Sequence, residues 1–160
     1  MKYFTIKELC VSGSFPKLVV IPEKGTKVYN NMVYLIEHLL DPVRERLGKA
    51  VIVTSGYRNE KLNKAVGGSS TSNHLYGHAA DIHTGNNSTD NINIVYTLLE
   101  LGIDYDEIIV EGAEFNKSGE LMSAKWIHVA TKPTGNRKKF LYTTDFKNYY
   151  KLKKTTKITK

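Results

Sequence analysis

Val51 to Ile82 reads VIVTSGYRNEKLNKAVGGSSTSNHLYGHAADI. The apolar run Val51 to Thr54 predicts a strand that ends in Ser55-Gly56-Tyr57-Arg58. The polar segment Glu60 to Val66 predicts a helix too short to stand without its neighbours. A loop rich in glycine and serine, Gly67 to Asn73, then leads into His74, with Asp81 seven positions further on. Imidazole nitrogen and carboxylate oxygen suit Zn²⁺, and a catalytic zinc takes three protein ligands and leaves a position open. The candidate for the third is His128. In Lys125-Trp126-Ile127-His128-Val129-Ala130 apolar residues alternate as on a strand with one buried face, which points His128 away from Ile127 and Val129.

A histidine and an aspartate at that spacing say little in a chain with five histidines. The wider pattern is more specific. Ser72-x-His74-x-x-Gly77-x-Ala79-x-Asp81, preceded by Ser55-Gly56-Tyr57-Arg58 and followed by Trp126-x-His128, resembles the zinc D-Ala-D-Ala carboxypeptidases and endopeptidases of peptidase family M15. The resemblance spans roughly Thr5 to Ala130. It is nearest to small single-domain members that cut peptidoglycan stem peptides and often come from phages or prophages. It implies the hedgehog and D,D-peptidase type of fold, a Zn²⁺ cofactor and the ligand set His74, Asp81 and His128. It also implies that Arg58 lies in the active site, gripping a substrate carboxylate or a developing oxyanion; the other reading of Arg58 is a structural salt bridge. His78 and His83 compete by position but fall outside the ligand pattern, with His83 a candidate to support a ligand from behind. Gly77 permits a tight turn, Ala79 and Ala80 permit close packing, and Ser72 can hold the loop by bonding nearby backbone.

A zinc peptidase needs a general base. Many members of the family carry an acid three residues before the last histidine, where this chain has Lys125. Asp106-Glu107-Ile108-Ile109-Val110-Glu111 predicts a strand similar to a family segment in which an aspartate-glutamine-aliphatic run ends in glutamate, with Glu107 in the place of glutamine. Glu111 is therefore the leading candidate, ahead of Glu114 and Glu120 on a long loop with a hairpin turn around Asn116 to Gly119. Trp126 either lines the cleft or fills the core.

The rest of the chain supplies the frame. Its 160 residues, 41% hydrophobic and 10% aromatic, predict one folded domain. Thr5-Ile6-Lys7-Glu8 has the form of a capping box and predicts a short helix. Val11 to Lys27 reads as loop. Met32, Leu35, Ile36, Leu39, Leu40, Val43 and Leu47 form the stripe of an amphipathic helix over Asn30 to Leu47, ended by Gly48. Pro42 inside it predicts a kink or a second helix capped by Asp41. His38 reads as structural or exposed. Asp90 to Leu101 predicts another helix, with Gly102 just past its end. Cys10 is the single cysteine, which excludes an intramolecular disulfide framework and leaves a small core residue.

The expected fold is α+β: a single compact domain over residues 1–150, an antiparallel sheet bearing the zinc ligands with helices packed on it, and a basic, disordered tail over residues 151–160. MKYFTIKELC lacks the apolar core of a signal peptide and no run reaches transmembrane length. The reading is a protein made in the cytoplasm that acts on the cell wall, by phage-type release or as a virion component. The formal charge of +7 favours the anionic wall as partner, with no nucleic-acid motif and no membrane span; no pattern sets an oligomeric state. The alternative, kept open by Lys125, is a cell-wall-binding or phage structural module that retains zinc without catalysis.

Overall fold

The structure, a computed structural model, describes residues 1–85 and 87–153. The first long helix starts at α1, Lys27–Leu35, where Thr26 Oγ1 accepts the Tyr29 N–H (3.3 Å) and caps it. After a π turn at Ile36–Leu40 the chain continues as α2, Asp41–Leu47, and Gly48 ends it in the left-handed conformation. Pro42 explains the π turn: its ring crowds the carbonyl four residues back, so the helix widens and the Asp41 N–H reaches Ile36 O instead. Asp41 does not cap α2. Its carboxylate turns away to accept the backbone N–H of Lys2 and of Tyr3, tying the N-terminal segment to the helix.

Strand β1 is Ile52–Ser55, followed by helix α3 at Glu60–Ala65, which Asn59 caps through Leu62 N. A 3-10 turn at Asn73–Tyr76 leads into β2, Ala79–His83. Helix α4 is Asn91–Glu100 and strand β3 is Glu107–Glu111. A hairpin comes next, β4 at Glu114–Phe115 and β5 at Leu121–Ser123, with Asn116 and Gly119 closing the turn. Then come β6 at Trp126–Ala130, β7 at Lys139–Thr143 and β8 at Tyr150–Lys151.

Six strands form one sheet in the order β1-β2-β6-β3-β7-β8, and the hairpin stands apart as its own pair. The sheet is mixed rather than wholly antiparallel, because β3 and β7 run parallel. The cause is chain reversal: β6 lies antiparallel on one side of β3, and β7, running opposite to β6, reaches the other side of β3 in the same direction as β3. Alternation then divides the sheet. Ile82, Ile108, Val110, Ile127, Val129 and Phe140 face a core shared with Leu35, Leu39, Leu40, Val43, Ile92 and Leu98 from the helices. The opposite face carries polar groups, Asp81 and His128 among them.

The bonds of the Thr5–Glu8 capping box form, yet they close a turn and not a helix. The reason lies at Leu9, whose carbonyl accepts Tyr57 N (2.7 Å) and lies so near Gly56 that a Cβ there would stand 2.2 Å from it. Cys10 is buried in the core, as expected of a small apolar side chain, and burial pushes its thiol pKa up to about 11. At the other end, Lys151 pairs in β8 and Leu152 is buried, so the packed chain reaches beyond residue 150. The remaining tail, residues 154–160, lies outside the described residues.

Candidate metal centre

The sheet register assembles the site. Asp81 of β2 stands opposite His128 of β6, and His128 stands opposite Ile109 of β3, so all three share the face away from the core. Glu107 and Glu111 flank Ile109 at one side-chain repeat to either side and therefore flank His128 diagonally. His74 arrives from the 3-10 turn ahead of β2. Ser72 Oγ accepts the His74 N–H (3.3 Å) and holds the start of that turn. Gly77 ends it at φ +71°, where a side chain would press on Met32 and on Val28 O, each 2.8 Å from a Cβ.

Each imidazole is oriented from behind. A carbonyl only accepts, so the 2.7 Å contact between His74 Nδ1 and Gly56 O places the proton on Nδ1 and leaves the Nε2 lone pair for the site. His128 directs Nδ1 inward, and its Nε2 lies 3.5 Å from Glu107 Oε1, an ion-pair distance at which no hydrogen bond is made. The three inward atoms converge. His74 Nε2 to His128 Nδ1 is 3.2 Å, His74 Nε2 to Asp81 Oδ1 is 3.3 Å, and His128 Nδ1 to Asp81 Oδ1 is 2.9 Å. Tetrahedral zinc with bonds near 2.0–2.1 Å needs ligand atoms about 3.3 Å apart. The donor triangle fits that ion with little adjustment.

Electrostatics agree with a cation between these groups. Burial would raise the Asp81 pKa, but His74 and His128 outweigh it and hold the carboxyl well below the usual range. Burial lowers the pKa of His74. At His128 burial acts downward too, but Asp81 and Glu107 prevail and raise it to about 9. Arg58 braces the cluster: Nη2 donates to Asp81 Oδ2 (2.9 Å) and Nε to Ser55 Oγ (2.8 Å). Asp81 thus meets the histidines with one oxygen and the guanidinium with the other.

Glu111 is 8% exposed on the same face, and burial, helped by the charges of Asp81 and Glu107 and opposed by His128, pushes its pKa up to about 7. Trp126 stands beside it in the register, half-buried on the polar face and stacked against Phe146 with ring centroids 5.1 Å apart. Lys125 is exposed, its ammonium 5.2 Å from the Phe146 ring, while its N–H donates to Glu111 O (2.8 Å). Glu114 and Glu120 are engaged inside the hairpin, with Ser123 Oγ (2.5 Å) and with Asn116 Nδ2 (2.7 Å). His83 Nδ1 donates to Gly85 O (2.7 Å), and His38 stacks on Tyr34. Glu107 is the participant that sequence reasoning did not assign; its signal was a carboxylate two residues from the position opposite His128, visible only once the register is known.

A sheet face that converges two imidazoles and a carboxylate, with a buried carboxyl alongside, has the donor set of a metal-binding site of the kind that metal-dependent hydrolases use. Comparison with known proteins narrows it. The Peptidase M15 family model matches residues 2–101. A stretch of 47 residues is 45% identical to a zinc D-Ala-D-Ala carboxypeptidase of Streptomyces albus G, covering 29% of this chain and 18% of that protein. The chain belongs to peptidase family M15. Zn²⁺ is the cofactor that membership implies.

Proposed function

We propose that this chain is a zinc metallopeptidase that hydrolyses peptide bonds of bacterial cell-wall peptidoglycan, in stem peptides or cross-links that contain D-amino acids. In this reading His74, Asp81 and His128 hold the metal, Glu111 is the general base, and Arg58 completes the active site. The observation that carries it is the donor triangle of 2.9–3.3 Å beside a carboxyl whose pKa stands at about 7.

Zinc in such a set supplies Lewis-acid activation of water and of a peptide carbonyl. The protein does the rest. Glu111 takes a proton from the attacking water as its oxygen bonds to the carbonyl carbon, then returns it to the leaving nitrogen as the C–N bond breaks. A carboxyl poised near neutrality suits both transfers, and the nearby dication would favour its charged form. Arg58 keeps Asp81 in place and brings a positive charge to the edge of the site. The half-buried Trp126 gives the substrate an apolar wall. An endolysin-type role belongs to this reading through the motif resemblance of Ser72 to Asp81 and Trp126-x-His128 alone. Among the described residues no helix is long and apolar enough to cross a membrane.

The test is mass spectrometry of soluble fragments released from purified sacculi by the zinc-loaded protein, run beside a chelated sample and His128→Ala. New peptide termini that appear only with zinc-loaded wild type support the peptidase and identify the bond. No new termini from several wall chemotypes, with zinc confirmed bound, would replace it with a wall-binding module that has lost catalysis.

A further inference from the structure

Helix α3 and the turn at Asn73–Tyr76 enclose a cleft of about 490 Å³ that the proposed hydrolysis does not use. Tyr57, Leu75 and Tyr76 give it apolar walls, while Glu60, Asn63 and Lys64 line it from α3. One side is rigid. Gly68 lies so close to Asn63 that a Cβ would stand 2.1 Å from Oδ1, and Asn63 Nδ2 donates to Ser69 O (2.9 Å).

This cleft is joined to the metal centre through the backbone. Arg58 N donates to His74 O (3.1 Å), and the residues next to that bond, Tyr57 and Leu75, are cleft walls. Arg58 and His74 serve the centre, so each is one residue, about 3.8 Å of chain, from the cleft. An extended peptide advances roughly 3.3 Å per residue and would pass from one to the other within a few residues.

The charges are specific. Glu60 and Lys64 are four apart on α3 and so lie side by side on its surface. Among the described residues neither has an ion-pair partner, and the cleft offers one free carboxylate and one free ammonium over an apolar floor. Their complement is a side chain that ends in an ammonium and a carboxylate, carried on an aliphatic stem for Leu75 and the tyrosine rings. Resting on the reading of this chain as a stem-peptide hydrolase, we propose that the cleft is the subsite for a diamino dicarboxylic acid residue of the stem, with its ammonium at Glu60 and its carboxylate at Lys64.

Two synthetic stem pentapeptides test this, identical except that one carries meso-diaminopimelate at its third position and the other L-lysine, which lacks the terminal carboxylate. Amide chemical shifts of the zinc-loaded full chain in the Glu111→Gln background report binding with turnover suppressed. The diaminopimelate peptide is expected to bind about two- to fivefold more tightly, as suits exposed charge pairs, and to shift the amides of Tyr57, Asn63 and Leu75. Lys64→Met removes the preference, and Glu60→Gln weakens both peptides. Equal affinities that Lys64→Met leaves unchanged, or shifts that bypass the cleft, would overturn the proposal. If sacculi yield no new termini while the preference persists, the hydrolase reading fails and the subsite stands. Hydrolysis without the preference has the reverse meaning.

Discussion

Glu107 and Glu111 occupy equivalent diagonals beside His128 but have opposite electrostatics. The contact with His128 lowers the pKa of Glu107, which keeps it an anion that orients a ring, whereas at Glu111 burial outweighs the opposing charge of His128 and lifts the pKa to about 7. Replacing Glu111 with Gln is expected to cut hydrolysis by about 10²–10⁴-fold with zinc content unchanged, measured as rate per bound zinc. Unaltered turnover would move the base to another group. Arg58→Met separates two roles. Bracing Asp81 predicts a loss of about 10–100-fold in zinc affinity by chelator competition. Unchanged affinity with lower turnover would instead mean that the guanidinium acts on substrate.

The elements were legible in unequal measure, for physical reasons. The alternation around His128 and the stripe from Met32 to Leu47 announce themselves because one face of each is buried in the core. His74, Asp81 and Arg58 sit in one short stretch, so local pattern brought them forward. Glu107 depended on pairing between distant strands, which no local pattern encodes. The capping box at Thr5 misled because its bonds form whether or not a helix continues beyond them, and Leu9 O is taken by Tyr57 N. Asp41 misled similarly: its carboxylate serves Lys2 and Tyr3. The docking of the N-terminal turn against Gly56 predicts a costly Gly56→Ala, about 2 kcal/mol or more by urea unfolding, since backbone must move to admit a Cβ 2.2 Å from Leu9 O. Gly13→Ala, with nothing within 4 Å, is the control and is expected to stay within about 0.5 kcal/mol.

At the scale of the molecule, one charged knot ties the start of β3 to the loop before β7. Asp106 is fully buried and binds the Arg137 guanidinium, Lys132 Nζ (2.8 Å) and Asn73 Nδ2 (2.9 Å). Burial raises its pKa, but these partners outweigh it and hold the carboxyl well below the usual range. A folded-state pKa below the unfolded value of about 3.9 contributes stability that is present above that pH and lost as pH falls through and below it. Unfolding midpoints in urea are therefore expected to drop from about pH 4 downward, and Asp106→Asn is expected to flatten that slope while lowering stability at neutral pH. An acid slope that is the same in the variant would assign it to other carboxyls. The formal charge of +7 belongs to this scale too, and it bore on partners more than on fold.

The residue, the element and the molecule converge on whether the polar face of the sheet holds zinc through His74, Asp81 and His128. Zinc K-edge absorption fine structure of the zinc-loaded full chain, compared with His128→Ala, addresses that directly. The predicted result is a nitrogen and oxygen shell near 2.0–2.1 Å that contains two imidazoles and no sulfur, with one imidazole lost in His128→Ala. A shell with fewer than two imidazoles, or one that His128→Ala leaves unchanged, would contradict the assignment.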